Sequence, residues 1–182
     1  MKKASITISV LTMLVLVVVV APAVSAQPTI HIQPERGRFV GAGYIADANS
    51  HFQVAGGVRE GYWFGLGVWV DENWLGGTLV AVFNVKNGDI IEDTEPGHIK
   101  YIWFLYGEAH VFVNGQYLGA YYSAIQLADS AYVNSPALPG GQEWVVFALF
   151  ESPAYWPLGP FYYNTQATPW VTTGKVQTWF TV

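Results

Sequence analysis

The chain contains no cysteine. That absence excludes a disulfide framework, a thiolate metal site and a cysteine nucleophile, so a fold outside the reducing cytoplasm has to be held by packing and hydrogen bonds alone. Charge is scarce too, with Asp, Glu, Lys and Arg making up 12% of the residues, about half the share of an ordinary soluble domain. Among these few, 13 acids stand against 8 bases, for a net charge of −5. The balance argues against nucleic acid or an anionic membrane surface as a partner. Helical periodicity is also missing: after residue 26 no stretch repeats its apolar residues every 3.6 positions, and little or no helix is expected there. What is abundant is apolar (52%) and aromatic (16%). Much of the surface must therefore be uncharged and rich in Tyr, Trp, Ser and Thr.

The one long apolar run lies at the start. Lys2 and Lys3 form a basic n-region, Ile6 to Val20 an apolar h-region, and Val24-Ser25-Ala26 offers small residues for a signal peptidase cutting before Gln27. Residues 1–26 are thus expected to be a signal peptide, with the protein extracellular or at the cell surface. Two alternatives stay open. Lys-Lys-Ala ahead of an apolar run resembles the cleavage motif of prokaryotic type IV prepilins, which would leave residues 5–25 as an assembly helix shortened by Pro22. Ser5 to Ala26 is also nearly long enough for a membrane anchor, and only uncut would this segment make the membrane a partner.

Residues 27–182 are enough for one domain with a proper core. Within them, residues 27–38 differ from the rest. Thr29 to Gln33 is a short strand-like run between Pro28 and Pro34, and proline confines a strand to edges. It is either an ordinary first edge strand or an arm that pairs with a neighbouring subunit, with Ile30 and Ile32 entering that neighbour's core and Glu35 to Arg38 acting as the hinge.

From residue 39 to 182 short strands succeed one another: 39–46, 51–54, 62–70, 78–86, 90–91, 99–106, 109–113, 116–122, 144–150, 161–163 and 175–182. Their separators are turn chemistry, namely Gly56-Gly57, Gly76-Gly77, Asn87-Gly88, Pro96-Gly97, Gly107-Glu108, Asn114-Gly115, Pro139-Gly140-Gly141 and Gly159-Pro160. Asn114-Gly115 between apolar runs is the strongest of them, because a type I′ hairpin needs positive φ at both positions. Strands 78–86 and 175–182 alternate apolar and polar residues, as strands buried on one face do, whereas 101–106 and 144–150 are apolar on both faces. The expected fold is all-β, a two-sheet antiparallel jelly-roll-like sandwich.

Residues 98–119, with Tyr101-Ile102-Trp103 leading through Gly107 to His110-Val111-Phe112-Val113-Asn114-Gly115-Gln116, resemble the segment of concanavalin-like and laminin-G sandwiches in which a strand pair ends in an Asn-Gly or Asp-Gly turn. They are similar as well to hairpins in the jelly-roll subunits of prokaryotic bundling pili and matrix fibres. The resemblance implies a fold rather than an activity, and no lectin metal motif carries over.

Catalytic signatures are thin. Glu143 and Glu151 share a strand face but lie roughly 26 Å apart at ~3.3 Å per residue, too far for the two carboxylates of a glycosidase. Glu108 and His110 share a face, yet no third group joins them, and no Gly-x-Ser-x-Gly elbow occurs. No catalytic residue is assigned. The acidic run Asp89, Glu92, Asp93 and Glu95 is the one charge cluster; it reads either as a solvated loop or as a set of oxygen ligands for calcium. The aromatics, including Trp74, Tyr155, Trp156, Trp170 and Trp179, suit two uses: stacking on sugar rings and burial between identical subunits. The preferred expectation is a secreted, non-catalytic filament, pilus or matrix subunit that assembles with itself through an N-terminal donor strand. A carbohydrate-binding or adhesive module that takes an extracellular polysaccharide is the alternative, and a glycan-active hydrolase the third.

Overall fold

Three glycine turns set the architecture. Glu60-Gly61, Leu75-Gly76 and Asn114-Gly115 each carry positive φ at both positions (53° and 80°, 49° and 79°, 50° and 77°), the conformation of two-residue hairpins whose twist matches the strands they join. The computed structural model describes residues 30–92, 101–129, 143–151, 163–164 and 171–182. Its strands are β1 (Ile30–Ile32), β2 (Arg36–Ile45), β3 (Ser50–Arg59), β4 (Tyr62–Trp74), β5 (Gly77–Glu92), β6 (Tyr101–Val113), β7 (Gln116–Ala128), β8 (Trp144–Phe150), β9 (Tyr163–Asn164) and β10 (Thr173–Thr181). Among the described residues there is no helix. All pairings are antiparallel, and the path runs β10-β2-β3-β4-β5-β6-β7-β8-β9, with β1 attached to β5.

The expected all-β antiparallel class is what the chain adopts. Its facing layers are opposite parts of one curled, hydrogen-bonded sheet, in place of two separate sheets, and from β2 to β9 sheet neighbours are sequence neighbours. Alternation directs Phe39, Phe52, Val54, Trp69, Leu79, Phe83, Trp103 and Val111 to one shared interior. The curl is visible in ring contacts: Trp103 on β6 meets Phe39 on β2 at 5.8 Å and Phe180 on β10 at 6.2 Å, while Trp69 on β4 stacks on Phe147 on β8 at 5.0 Å. Where β7 ends, the Asp129 carboxylate accepts a hydrogen bond from the Thr178 amide of β10 (3.0 Å), which occupies a backbone donor that β2 does not take. β8 is buried on both faces, since Ala148 and Phe150 join Ala124 and Tyr106 in a second small apolar cluster.

Several glycines expected to break strands lie inside them. Gly56 and Gly65 are cross-strand partners, and a Cβ at either would stand 2.5 Å or 2.8 Å from Cζ of Phe39; they make room for that ring. Gly107 is pressed against the Asn84 carbonyl, beside the register shift between Val85 and Asn87. The Asn87-Gly88 pair and Gly107-Glu108 therefore mark a bulge in a continuous β5–β6 ladder.

In the single chain the N-terminal segment takes the first of its two expected forms, an edge strand. Ile30, His31 and Ile32 pair with Glu92, Ile91 and Ile90 of the chain's own β5, so the strand belongs to the domain's own sheet. Ile32 packs against this chain's core while Ile30 stays 45% exposed. The proposed hinge is also structured: Arg36 to Arg38 open β2, and a Cβ on Gly37 would stand 2.7 Å from Cη2 of Trp103. Proline placement predicted an edge position correctly, because β1 takes up the edge of β5 that β4 leaves beyond the Gly65–Val85 pair.

Candidate functional site

On the outer face of β10, β2, β3 and β4, register lines residues from four distant stretches of sequence into rows. One row reads Thr181, Arg36, Arg59, Tyr62; the next Trp179, Arg38, Gly57, Phe64; the third Gln177, Val40, Ala55, Leu66; the fourth Lys175, Ala42, Gln53, Val68. The β3 lane carries only small residues in the middle rows, and taller side chains stand on either side of it. The result is a groove of about 970 Å³ lined by Arg36, Arg38, Ala55, Arg59, Phe64, Leu66 and Trp179. A second depression of about 270 Å³, lined by Val40, Ala42, Gln53, Ala55, Lys175 and Gln177, continues it along the same lane. From Arg36 to Ala42 the trough runs about 20 Å at 3.3 Å per residue.

Its walls are aromatic. Trp179 is 50% exposed and Phe64 56% exposed, and three strand spacings of ~4.8 Å put their backbones about 14 Å apart across the row. The Phe64 ring reaches back over β3, with its Cζ 3.4 Å from where a Gly57 Cβ would stand. Gly57 is buried beneath that ring, where a side chain would also meet the Gly37 carbonyl, and the glycines that line the groove are Gly37, Gly56 and Gly65.

The charges are equally localised. All three arginines of the chain, Arg36, Arg38 and Arg59, stand at one end of this trough. Arg36 and Arg59 are direct cross-strand partners, an opposition of like charges that weakens a strand pair. Only Arg59 has an ion-pair partner among the described residues, a loose one with Glu60 (3.7 Å) on the exposed hairpin. Lys175 adds a fourth cation farther along, and no carboxylate is among the described lining residues.

Of the residues singled out from sequence, Trp179 is in the trough. Trp74 is half-buried against the core at the β4–β5 hairpin. Tyr155, Trp156 and Trp170 lie outside the described residues. Asp89 is hydrogen-bonded to His31 and so clamps β1 to β5, while strand alternation puts Glu92 on the other face of β5. Asp93 and Glu95 lie outside the described residues, and among the described ones no three His, Asp or Glu side chains gather closely enough to hold a metal. Glu108 and His110 have separate partners: Glu108 bonds Lys86, whose hydrogen bond and charge hold its carboxyl below the usual range, and His110 meets the Tyr117 hydroxyl at 3.1 Å.

Sequence reading missed Arg36, Arg38, Arg59, Phe64 and Leu66 as a site. The available signals were Arg-x-Arg at the head of a strand and the alternation Tyr62, Phe64, Leu66, Val68, whose apolar members face out while Trp63 and Trp69 pack into the interior. Compared with known proteins, the chain matches no family model, no curated protein and no solved structure.

Proposed function

We propose that this protein is a secreted, non-catalytic binding protein of the cell surface or extracellular matrix, and that it holds a polysaccharide chain in the outer-face trough. The observation that carries the reading is the row Trp179, Arg38, Gly57, Phe64. Two exposed aromatic rings beside the small residues of the β3 lane give sugar rings flat apolar surfaces, and Gln53, Gln177 and Lys175 beyond them offer partners for hydroxyl groups. Length supports a polymer over a compact ligand. No carboxylate is among the described lining residues, and the reading is of binding without hydrolysis.

Affinity electrophoresis through gels containing polysaccharide tests this. Trp179→Ala and Phe64→Ala should each weaken retention on the order of tenfold, equivalent to about 1.4 kcal/mol, while the melting temperature stays within a degree or two because both rings are largely exposed. Unchanged retention in both variants would end the reading.

A filament or matrix subunit is the second reading, and one observation favours it. β1 is a terminal strand held by three residue pairs and the His31–Asp89 clamp, so exchanging it for the same strand of a neighbour would preserve those contacts in a swapped assembly. Size-exclusion chromatography and negative-stain microscopy separate the readings: fibres that vanish on deleting residues 27–33, which leaves every trough residue in place, favour the subunit, and an intact protein that stays monomeric and retains polysaccharide favours the trough.

A further inference from the structure

The trough carries a charge that stacking on neutral sugars does not use. Arg36 and Arg38 are successive outward residues of β2, about 6.6 Å apart on the strand rise, and Arg59 faces Arg36 from β3. Three guanidinium groups thus share one small area of an acidic protein, and among the described residues neither Arg36 nor Arg38 has a carboxylate in ion-pair range. We infer that the trough selects an acidic polysaccharide, one whose repeat carries carboxylate groups, with Arg36, Arg38 and Arg59 binding the carboxylates while Trp179 and Phe64 bind the ring faces. This rests on the polysaccharide reading and names its substrate class.

Chemistry favours that occupant over the others. A planar guanidinium fork matches a carboxylate with two parallel hydrogen bonds, and an anion between Arg36 and Arg59 relieves their mutual repulsion. A second copy docked on this face would set its arginines against the arginines or Lys175 of the first, with no carboxylate among the described lining residues to meet them. An acidic polypeptide finds no edge in the middle of the trough, because β2 and β3 are each paired along both sides and offer no site for strand addition there. Recognition on that floor comes from side chains.

The test compares binding of the purified protein to polygalacturonate, to its fully methyl-esterified form, to dextran sulfate and to poly-glutamate, at 50 and 200 mM salt. Polygalacturonate should bind at least tenfold more tightly than its neutral ester, and the ratio should shrink at the higher salt. Arg36→Gln and Arg38→Gln should each bring the acid-to-ester ratio toward one; Lys86→Gln, which removes the same charge outside the trough, should leave it in place. Equal binding of acid and ester overturns the acidic assignment and leaves the polysaccharide reading standing. Equal or tighter binding of poly-glutamate or dextran sulfate overturns it in favour of a generic anion surface. If none of the polysaccharides binds, both readings fall together.

Discussion

Truncation of Trp69 to alanine is expected to remove about 3 to 5 kcal/mol of stability, the usual cost of emptying a large aromatic site. Since a domain of this kind has about 5 to 15 kcal/mol in all, the loss is a large share of the total and the urea midpoint should fall far below that of the parent protein. Trp69 is fully buried and lies between Phe52 of β3 at 6.1 Å and Phe147 of β8 at 5.0 Å, stacked on both. It thereby joins two parts of the sheet that meet only across the interior. Its indole Nε1 donates to the Tyr163 hydroxyl (2.9 Å), which in turn donates to Oδ2 of the buried Asp71 (2.9 Å). Burial raises the Tyr163 phenol well above its ordinary range, so it remains a donor at any physiological pH. Losing the indole empties a stacked site and leaves that hydroxyl one donor short. A shift in the urea midpoint worth less than about 1.5 kcal/mol would mean that the curl is held elsewhere.

Filling the space under Phe39 is expected to cost about 1 to 3 kcal/mol, the range for overpacking a tight core. Gly65→Val would set a branched side chain where even a Cβ stands 2.8 Å from Cζ of Phe39 and 2.9 Å from the Ala55 carbonyl. Phe39 is itself fully buried and leans on Trp103, so it has nowhere to retreat. The two sites should be coupled: in a Phe39→Leu background the same substitution should cost less, with a non-additivity of at least about 0.5 kcal/mol. Additive effects in urea unfolding would show that the glycine serves the backbone alone.

Glycine also shows where sequence stops being legible. Asn114-Gly115 signals its hairpin because few residue pairs tolerate positive φ twice. Glu60-Gly61 forms the same turn without signalling it, since glutamate at φ 53° is outside the usual chemistry of that position. Gly56-Gly57 and Gly107-Glu108 look like turns but serve close packing within strands, a role settled only when Phe39 and Asn84 are seen across from them. All-β character is plain from alternation in residues 78–86 and 175–182. The trough is not, because Trp179, Arg38, Gly57 and Phe64 come from four strands and become neighbours through register alone. In the sequence Trp179 is one aromatic among several, and Arg36 and Arg38 are part of a polar connection, when their meaning lies in standing side by side.

If an acidic sugar chain lies along β3 between Trp179 and Phe64, the amide and indole chemical shifts of the isotopically labelled protein, titrated with galacturonate oligomers, will report it residue by residue. Shifts should concentrate on the Trp179 indole N–H and on the amides of Arg36, Arg38, Gly57, Phe64 and Leu66, with His110 and Tyr117 on the far part of the outer face unmoved. Shifts gathered at His110 and Tyr117, or no shifts anywhere at millimolar oligomer, would rule that placement out.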